Sequence, residues 1–177
     1  LLTANGPRTD VSDVTTYTYN AAGLVATVTN ALSQVTQVTS YDPRGYPLTI
    51  VDPNNVTWTL TYDPRGRLLS RTIQAPAGNA TTAFQYSPAG MVTRATLPDG
   101  AYLDYSYDDA QRLTRITNAS GERIDLTLDA MGNVTRTETK DAALSILRLQ
   151  RAAFDELGRK LQQIGASNQT TIYGYDH

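Results

Sequence analysis

Residues 61–71 read TYDPRGRLLSR, and residues 40–50, 21 positions earlier, read SYDPRGYPLTI. Each stretch puts turn chemistry between two runs suited to strands. Asp63 can bond the backbone of its own turn, Pro64 presets φ at the second position, and Gly66 accepts a left-handed backbone at the fourth. That combination predicts a type I turn closed by a glycine bulge, the common three-residue hairpin loop. In that register Asp63 faces Arg67 and Tyr62 faces Leu68 on the opposite side of the sheet.

The phrase recurs too often to be an active site. Degenerate copies start at Tyr19, Tyr41, Tyr62, Tyr86, Tyr107, Leu128, Phe154 and Tyr175, with spacings of 22, 21, 24, 21, 21, 26 and 21 residues. The unit is therefore 21 residues long, with insertions near 75–83 and 140–150. Further turn signals fall midway, at Asn30 to Ser33, Asp52 to Asn55, Pro98 to Gly100, Asn118 to Gly121 and Gly165 to Asn168. Turns this frequent leave strands of about seven residues, or roughly 23 Å. The fold class is all-β: a long antiparallel meander of hairpins. Twenty-six Thr and 11 Tyr, with 12 Gly and 8 Pro, agree with strands and turns.

The turn register pairs Tyr19 with Val25, Tyr41 with Pro47, Tyr86 with Val92, Tyr107 with Leu113, Leu128 with Val134 and Phe154 with Lys160. Opposite charges meet at Asp63 and Arg67, Asp108 and Arg112, and Asp155 and Arg159. Counting by twos along the strands, Tyr17, Trp58, Leu60, Phe84, Leu103, Tyr105, Ile124 and Leu126 continue the Tyr side. Leu69, Ile73, Leu97 and Ile116 fall on the other. Apolar residues on both faces predict a curved sheet partly covered on both sides by its own neighbours. Residues 141–154, DAALSILRLQRAAF, are Ala- and Leu-rich and are read as a strand from Leu144 to Leu149, with a short helix or an insertion loop as the alternative.

A net charge of −2 with dispersed charges argues against a nucleic-acid or anionic-membrane partner. No apolar run reaches the length of a spanning helix, and nothing resembles a signal peptide. A first residue of Leu1 suggests a piece excised from something longer. The absence of Cys removes disulfides and thiolate chemistry. His177 is the only histidine and a poor basis for a catalytic triad at a terminus. Asp108 with Asp109, and Asp99 with Asp104, are carboxylate pairs of the kind glycosidases use, yet Asp108 and Asp99 sit at turn positions. Asp52 to Asn55 offers oxygen ligands without a calcium-loop spacing. Sequons occur at Asn55, Asn79, Asn118, Asn133 and Asn168. Trp58, Tyr102 and Tyr105 could stack on sugars, although cross-strand packing explains them more simply. No catalytic, cofactor-binding or metal-binding residue is assigned, and no enzyme activity is expected.

The pattern Y-D-x-x-G-R-L resembles the YD repeats of RHS-repeat proteins, a family that includes bacterial polymorphic toxins, the C component of insecticidal toxin complexes, and teneurins. Tyr62 to Leu68 carries it best, with Tyr107-Asp108, Arg112-Leu113, Phe154-Asp155 and Gly158-Arg159 in phase. The resemblance implies one array over residues 1–177, about seven to eight repeats of a larger protein. It implies a strip that spirals into part of a hollow β-shell around a C-terminal toxin or other polypeptide, secreted or at the cell surface. The alternative is a surface module binding carbohydrate or protein. The family's self-cleaving D-P-x-G-L box does not carry over, because Tyr46 follows Gly45 and Arg67 follows Gly66. About 16 strands at ~4.8 Å would make a strip near 75 Å wide. Its open edges would invite self-association.

Overall fold

The computed structural model describes all residues except 1, 8, 9, 12, 77 and 177. The chain divides into two compact units, Leu1–Ala83 and Phe84–His177. The first holds β1 (Thr3–Ala4), β2 (Thr15–Tyr19), β3 (Val25–Thr29), β4 (Val35–Tyr41), β5 (Pro47–Val51), β6 (Thr57–Tyr62), β7 (Leu68–Gln74) and the start of β8 (Ala80–Tyr86). The second holds the end of β8, then β9 (Val92–Thr96), β10 (Tyr102–Tyr107), β11 (Leu113–Asn118), β12 (Arg123–Leu128), β13 (Val134–Lys140), β14 (Ile146–Phe154), β15 (Lys160–Ile164) and β16 (Thr170–Ile172). In each unit the strands pair antiparallel with their chain neighbours. The fold is the expected all-β meander.

The turns form as the phrase dictates. The Asp63 amide donates to the Arg67 carbonyl at 2.9 Å and the Gly66 amide to the Asp63 carbonyl at 3.0 Å. The same pair of bonds closes turns beginning at Asn20, Asn30, Asp42, Asp52, Ser87, Leu97, Asp108, Asn118, Asp129, Asp141, Asp155 and Gly165. Tyr62 faces Leu68, Tyr19 faces Val25, Tyr41 faces Pro47, Tyr107 faces Leu113, Leu128 faces Val134 and Phe154 faces Lys160, as expected.

Beyond the turns the strict count by twos fails. Tyr62 lies opposite Leu68, but Thr61 lies opposite Ser70, so Leu69 is an extra, bulged residue. The bulge returns Ile73 to the Tyr side, opposite Trp58. Thr114 does the same between Leu113 and Arg115, and Ile116 lies between Tyr105 and Ile124. Leu97 opens a turn rather than facing either side. The faces are therefore better sorted than the count implies. In the first unit Tyr17, Val28, Val38, Ile50, Trp58 and Ile73 share one face. The other is a threonine face, on which Thr18 meets Thr27 at 2.7 Å, Ser40 meets Thr49 at 2.8 Å and Thr72 meets Thr81 at 2.8 Å.

Both faces are partly covered, with consecutive strand residues half-buried, but neither is sealed. Among the described residues no hydrophobic side chain is buried, and the one buried polar residue is Asp63 at 7% exposure. Stability must then come from the hydrogen-bonded ladder, cross-strand pairs and the turns, each small, instead of from a two-layered core.

Residues 141–154 form neither a helix nor a loop insertion. The strand expected from Leu144 starts at Ile146, because Asp141 to Ser145 is one more turn, with Leu144 at φ 68° in the glycine position. The extra length of this repeat goes into strands of 7 and 9 residues. A left-handed backbone costs a β-carbon-bearing residue about 1–2 kcal/mol. Leu144→Gly should therefore raise stability by about 1 kcal/mol in urea denaturation, whereas a loss would mean that the exposed leucine side chain contributes more than its backbone costs.

Candidate functional site

Because alternate turns fall on opposite margins of a meander, the YD-type turns of each unit lie along one margin. Each begins with a side chain that organises it. Asp63 Oδ1 accepts the amides of Arg65 (2.8 Å) and Arg67 (2.9 Å), and Asp63 Oδ2 takes the Arg67 guanidinium at 2.6 Å. Asp108 repeats this with Arg112 and Asp155 with Arg159, at 2.7 Å each. The Arg112 guanidinium and amide hold the Asp108 carboxyl below the usual carboxylate range. For Asp63 burial pushes the other way and is outweighed by the Arg67 amide and guanidinium.

Two arginines join one turn to the next. Arg44 binds Asp42 in its own turn and donates to the carbonyls of Asp63 (3.0 Å) and Pro64 (2.8 Å) in the following one. Arg112 donates likewise to the Asp129 carbonyl at 2.9 Å. Tyr46 stacks on Tyr62 with centroids 5.2 Å apart, and the Arg44 guanidinium lies 5.1 Å from the Tyr46 ring centre.

The leading tyrosine has a role beyond facing its partner. Tyr107 donates its hydroxyl to the Val92 carbonyl at 2.9 Å, Tyr175 to the Lys160 carbonyl at 2.8 Å, and Tyr41 to the Val25 carbonyl. Each acceptor is the first strand residue after the preceding YD-type turn. The hydroxyl thus fastens consecutive repeats, which Leu128 and Phe154 cannot do. Tyr107→Phe should cost about 1 kcal/mol, read by urea denaturation beside Tyr105→Phe as the control. Equal losses would show that the bond to the Val92 carbonyl adds nothing specific to the loss of a tyrosine hydroxyl.

The second unit carries a charged face. Arg94 and Asp104, cross-strand partners on β9 and β10, pair twice at 2.6 and 2.7 Å. Asp125 on β12 receives Arg115 (2.6 Å), Lys140 (2.8 Å) and Arg123 (3.0 Å). Partial burial opposes its ionisation, but the Lys140 and Arg115 bonds and the neighbouring guanidinium charges prevail and bring its pKa down to about 2. A depressed folded pKa adds stability that is complete above the ordinary value of 3.8 and is lost as pH falls through about 2. The urea midpoint should therefore decline as pH drops from about 4 toward about 2, and Asp125→Asn should flatten that decline. An unchanged slope in the variant would place the titration elsewhere.

The residues singled out in the sequence are dispersed. Asp108 and Asp99 serve turns, Asp99 through a 2.9 Å bond from the Ala101 amide, and Asp104 is engaged with Arg94. Asp52 Oδ1 accepts the amides of Asn54 and Val56. Asn118 and Asn133 are bonded within their own turns. The Arg71 guanidinium lies 4.7 Å from the Trp58 ring centre and Arg94 3.9 Å from that of Tyr102, so one face of each aromatic ring is occupied. His177 lies outside the described residues. Among the described residues, no cluster of three or more His, Cys, Asp or Glu could hold a metal ion, and no helix is long and apolar enough to cross a membrane. The fastenings between repeats and the charged ladder escaped the sequence reading, although opposite charges ten residues apart, Arg94 with Asp104 and Arg115 with Asp125, follow the hairpin spacing.

Turn-fastened repeats in single-layer antiparallel sheet define a β-repeat protein. A family model described as RHS Repeat matches residues 41–80 and 107–143, so these two stretches are similar to RHS repeats. Its fold is similar to that in the crystal structure of TcdB2-TccC3-Cdc42, with TM-score 0.74 and 18% identity over 88% of this chain and 9% of that one. It is also similar to TcdB2-TccC3, with TM-score 0.73 and 19% identity over 86% and 9%. The Photorhabdus luminescens Tc holotoxin pore carrying a TccC3 mutation is more distant, with TM-score 0.54 and 14% identity over 86% and 12%. At these identities the likeness concerns the fold. Among curated proteins none matches the sequence.

Proposed function

We propose that this chain is one array of YD repeats, a wall segment of a longer RHS protein whose β-shell encapsulates a C-terminal toxin or other polypeptide. The observation that carries this reading is the single-layered construction: among the described residues no hydrophobic side chain is buried. A sheet without an interior of its own suits a partition between two spaces. Its action is steric, and no catalytic residue is assigned. The bonds from Tyr41, Tyr107 and Tyr175 and from Arg44 and Arg112 tie each repeat to a neighbouring one, as a continuous wall requires. The likeness to TcdB2-TccC3 supports the same reading, together with a secreted or surface location.

The test is protease protection in the full-length protein. Under native conditions proteinase K should spare the polypeptide that follows the repeats, and protection should vanish at the urea concentration that unfolds the repeats. Digestion of that polypeptide at the rate of an unprotected peptide would overturn the proposal.

A further inference from the structure

Like charges meet across strands at several places on the charged face of the second unit. Asp125 lies directly opposite Glu138, a pairing that is unfavourable alone. Lys140 resolves it, with Nζ 2.8 Å from Asp125 and 2.9 Å from Glu138. Arg123 lies opposite Lys140, and both contact Asp125. At these two places a like-charged pair is bridged by a group of opposite sign.

Arg136 and Arg151 break this rule. They are direct partners on β13 and β14, which brings their β-carbons to within about 5.5 Å. Arg136 gives one terminal nitrogen to Glu138, but its Nε is buried and has no hydrogen-bond partner. The Arg151 side chain makes no hydrogen bond or ion pair among the described residues, and it borders a shallow hollow with Ala153, Gln162 and Ile164. The face as a whole is short of anions. Arg94, Arg115, Arg123, Arg136, Lys140 and Arg151 stand against Asp104, Asp125 and Glu138.

We infer that Arg136 and Arg151 form a carboxylate-binding site that takes an Asp or Glu side chain of an acidic polypeptide segment. One carboxylate between two guanidiniums would give Arg136 Nε its acceptor and end the repulsion across β13 and β14, as Lys140 does for the acidic pair. The inference deepens the wall reading by naming the chemistry of the polypeptide this face meets. It rests on that reading only for the origin of that polypeptide.

Two measurements on the purified chain test it. A fluorescein-labelled hexaglutamate peptide, followed by anisotropy, should lose affinity about fivefold with Arg151→Gln and change less than about twofold with Arg148→Gln. Arg148 lies opposite Thr139, on the other face, and removes the same charge. Equal losses, or hexaglutamate binding no better than a neutral peptide, would overturn the site. The second measurement needs no ligand. Arg151→Glu builds the missing carboxylate into the pair, and should melt about 2 °C above Arg151→Gln while abolishing hexaglutamate binding. Melting below Arg151→Gln would also overturn the inference. Failure of the protease-protection test would leave the melting result standing, so the two proposals fail separately.

Discussion

Gly66→Ala lowers stability by about 3 kcal/mol in urea denaturation, against about 1 kcal/mol for Gly23→Ala or Gly100→Ala. All three glycines are left-handed, at φ 81°, 77° and 85°. Backbone strain is therefore common to them and cannot separate them. Their surroundings differ: a β-carbon at Gly23 or Gly100 meets nothing within 4 Å. At Gly66 it would run into Tyr46 Oη and lie 2.6 Å from Cζ and 2.9 Å from Cε2. Tyr46 has little freedom to step aside, since it stacks on Tyr62 at 5.2 Å and carries the Arg44 guanidinium against its ring at 5.1 Å. Arg44 in turn reaches the carbonyls of Asp63 and Pro64. An alanine here disturbs two consecutive turns at once. Equal losses at all three positions would show that turn strain alone sets the cost and that the packing of one repeat's tyrosine over the next repeat's glycine contributes nothing.

The same glycine shows where sequence reading succeeds. Asp, Pro and Gly at fixed offsets impose a local backbone geometry, and the facing of Tyr62 with Leu68 follows from that geometry alone. The reading failed wherever a feature left no side-chain signature. The bulge at Leu69 is a backbone event, so the count by twos put Ile73 and Ile116 on the wrong face. The turn at Asp141 to Ser145 was hidden because Leu144 holds a position that elsewhere takes Gly, Asn, Ser or Gln. The tyrosine hydroxyl bonds join residues 15 or 16 apart in different repeats. Local propensity is silent on such distances, and only the stacking of one hairpin beside the next brings the atoms together. The unbridged pairing of Arg136 with Arg151 needs the strand register as well, because in sequence they are merely two arginines among many.

Trp58→Ala should cost about 2 kcal/mol, distinctly below the 3–5 kcal/mol typical of a buried Trp or Phe. Trp58 lies between Ile50 and Ile73 on neighbouring strands and under the Arg71 guanidinium at 4.7 Å. Two cross-strand contacts at about 0.2–1 kcal/mol each and one cation–π contact of about 0.5–1 kcal/mol account for the figure. The larger cost would require a second layer of side chains over this face, and no hydrophobic residue is buried to supply one among those described. Magnitude therefore decides architecture: a loss of about 2 kcal/mol marks a single sheet, and one near 5 kcal/mol would mark a covered core. The variant also separates two functions. A wall segment with Trp58→Ala binds glycans no differently from the parent, since the ring's work is to hold β5, β6 and β7 in line. Glycan-array signals that the parent shows and Trp58→Ala loses, with the fold retained, would instead make this face a carbohydrate-binding surface.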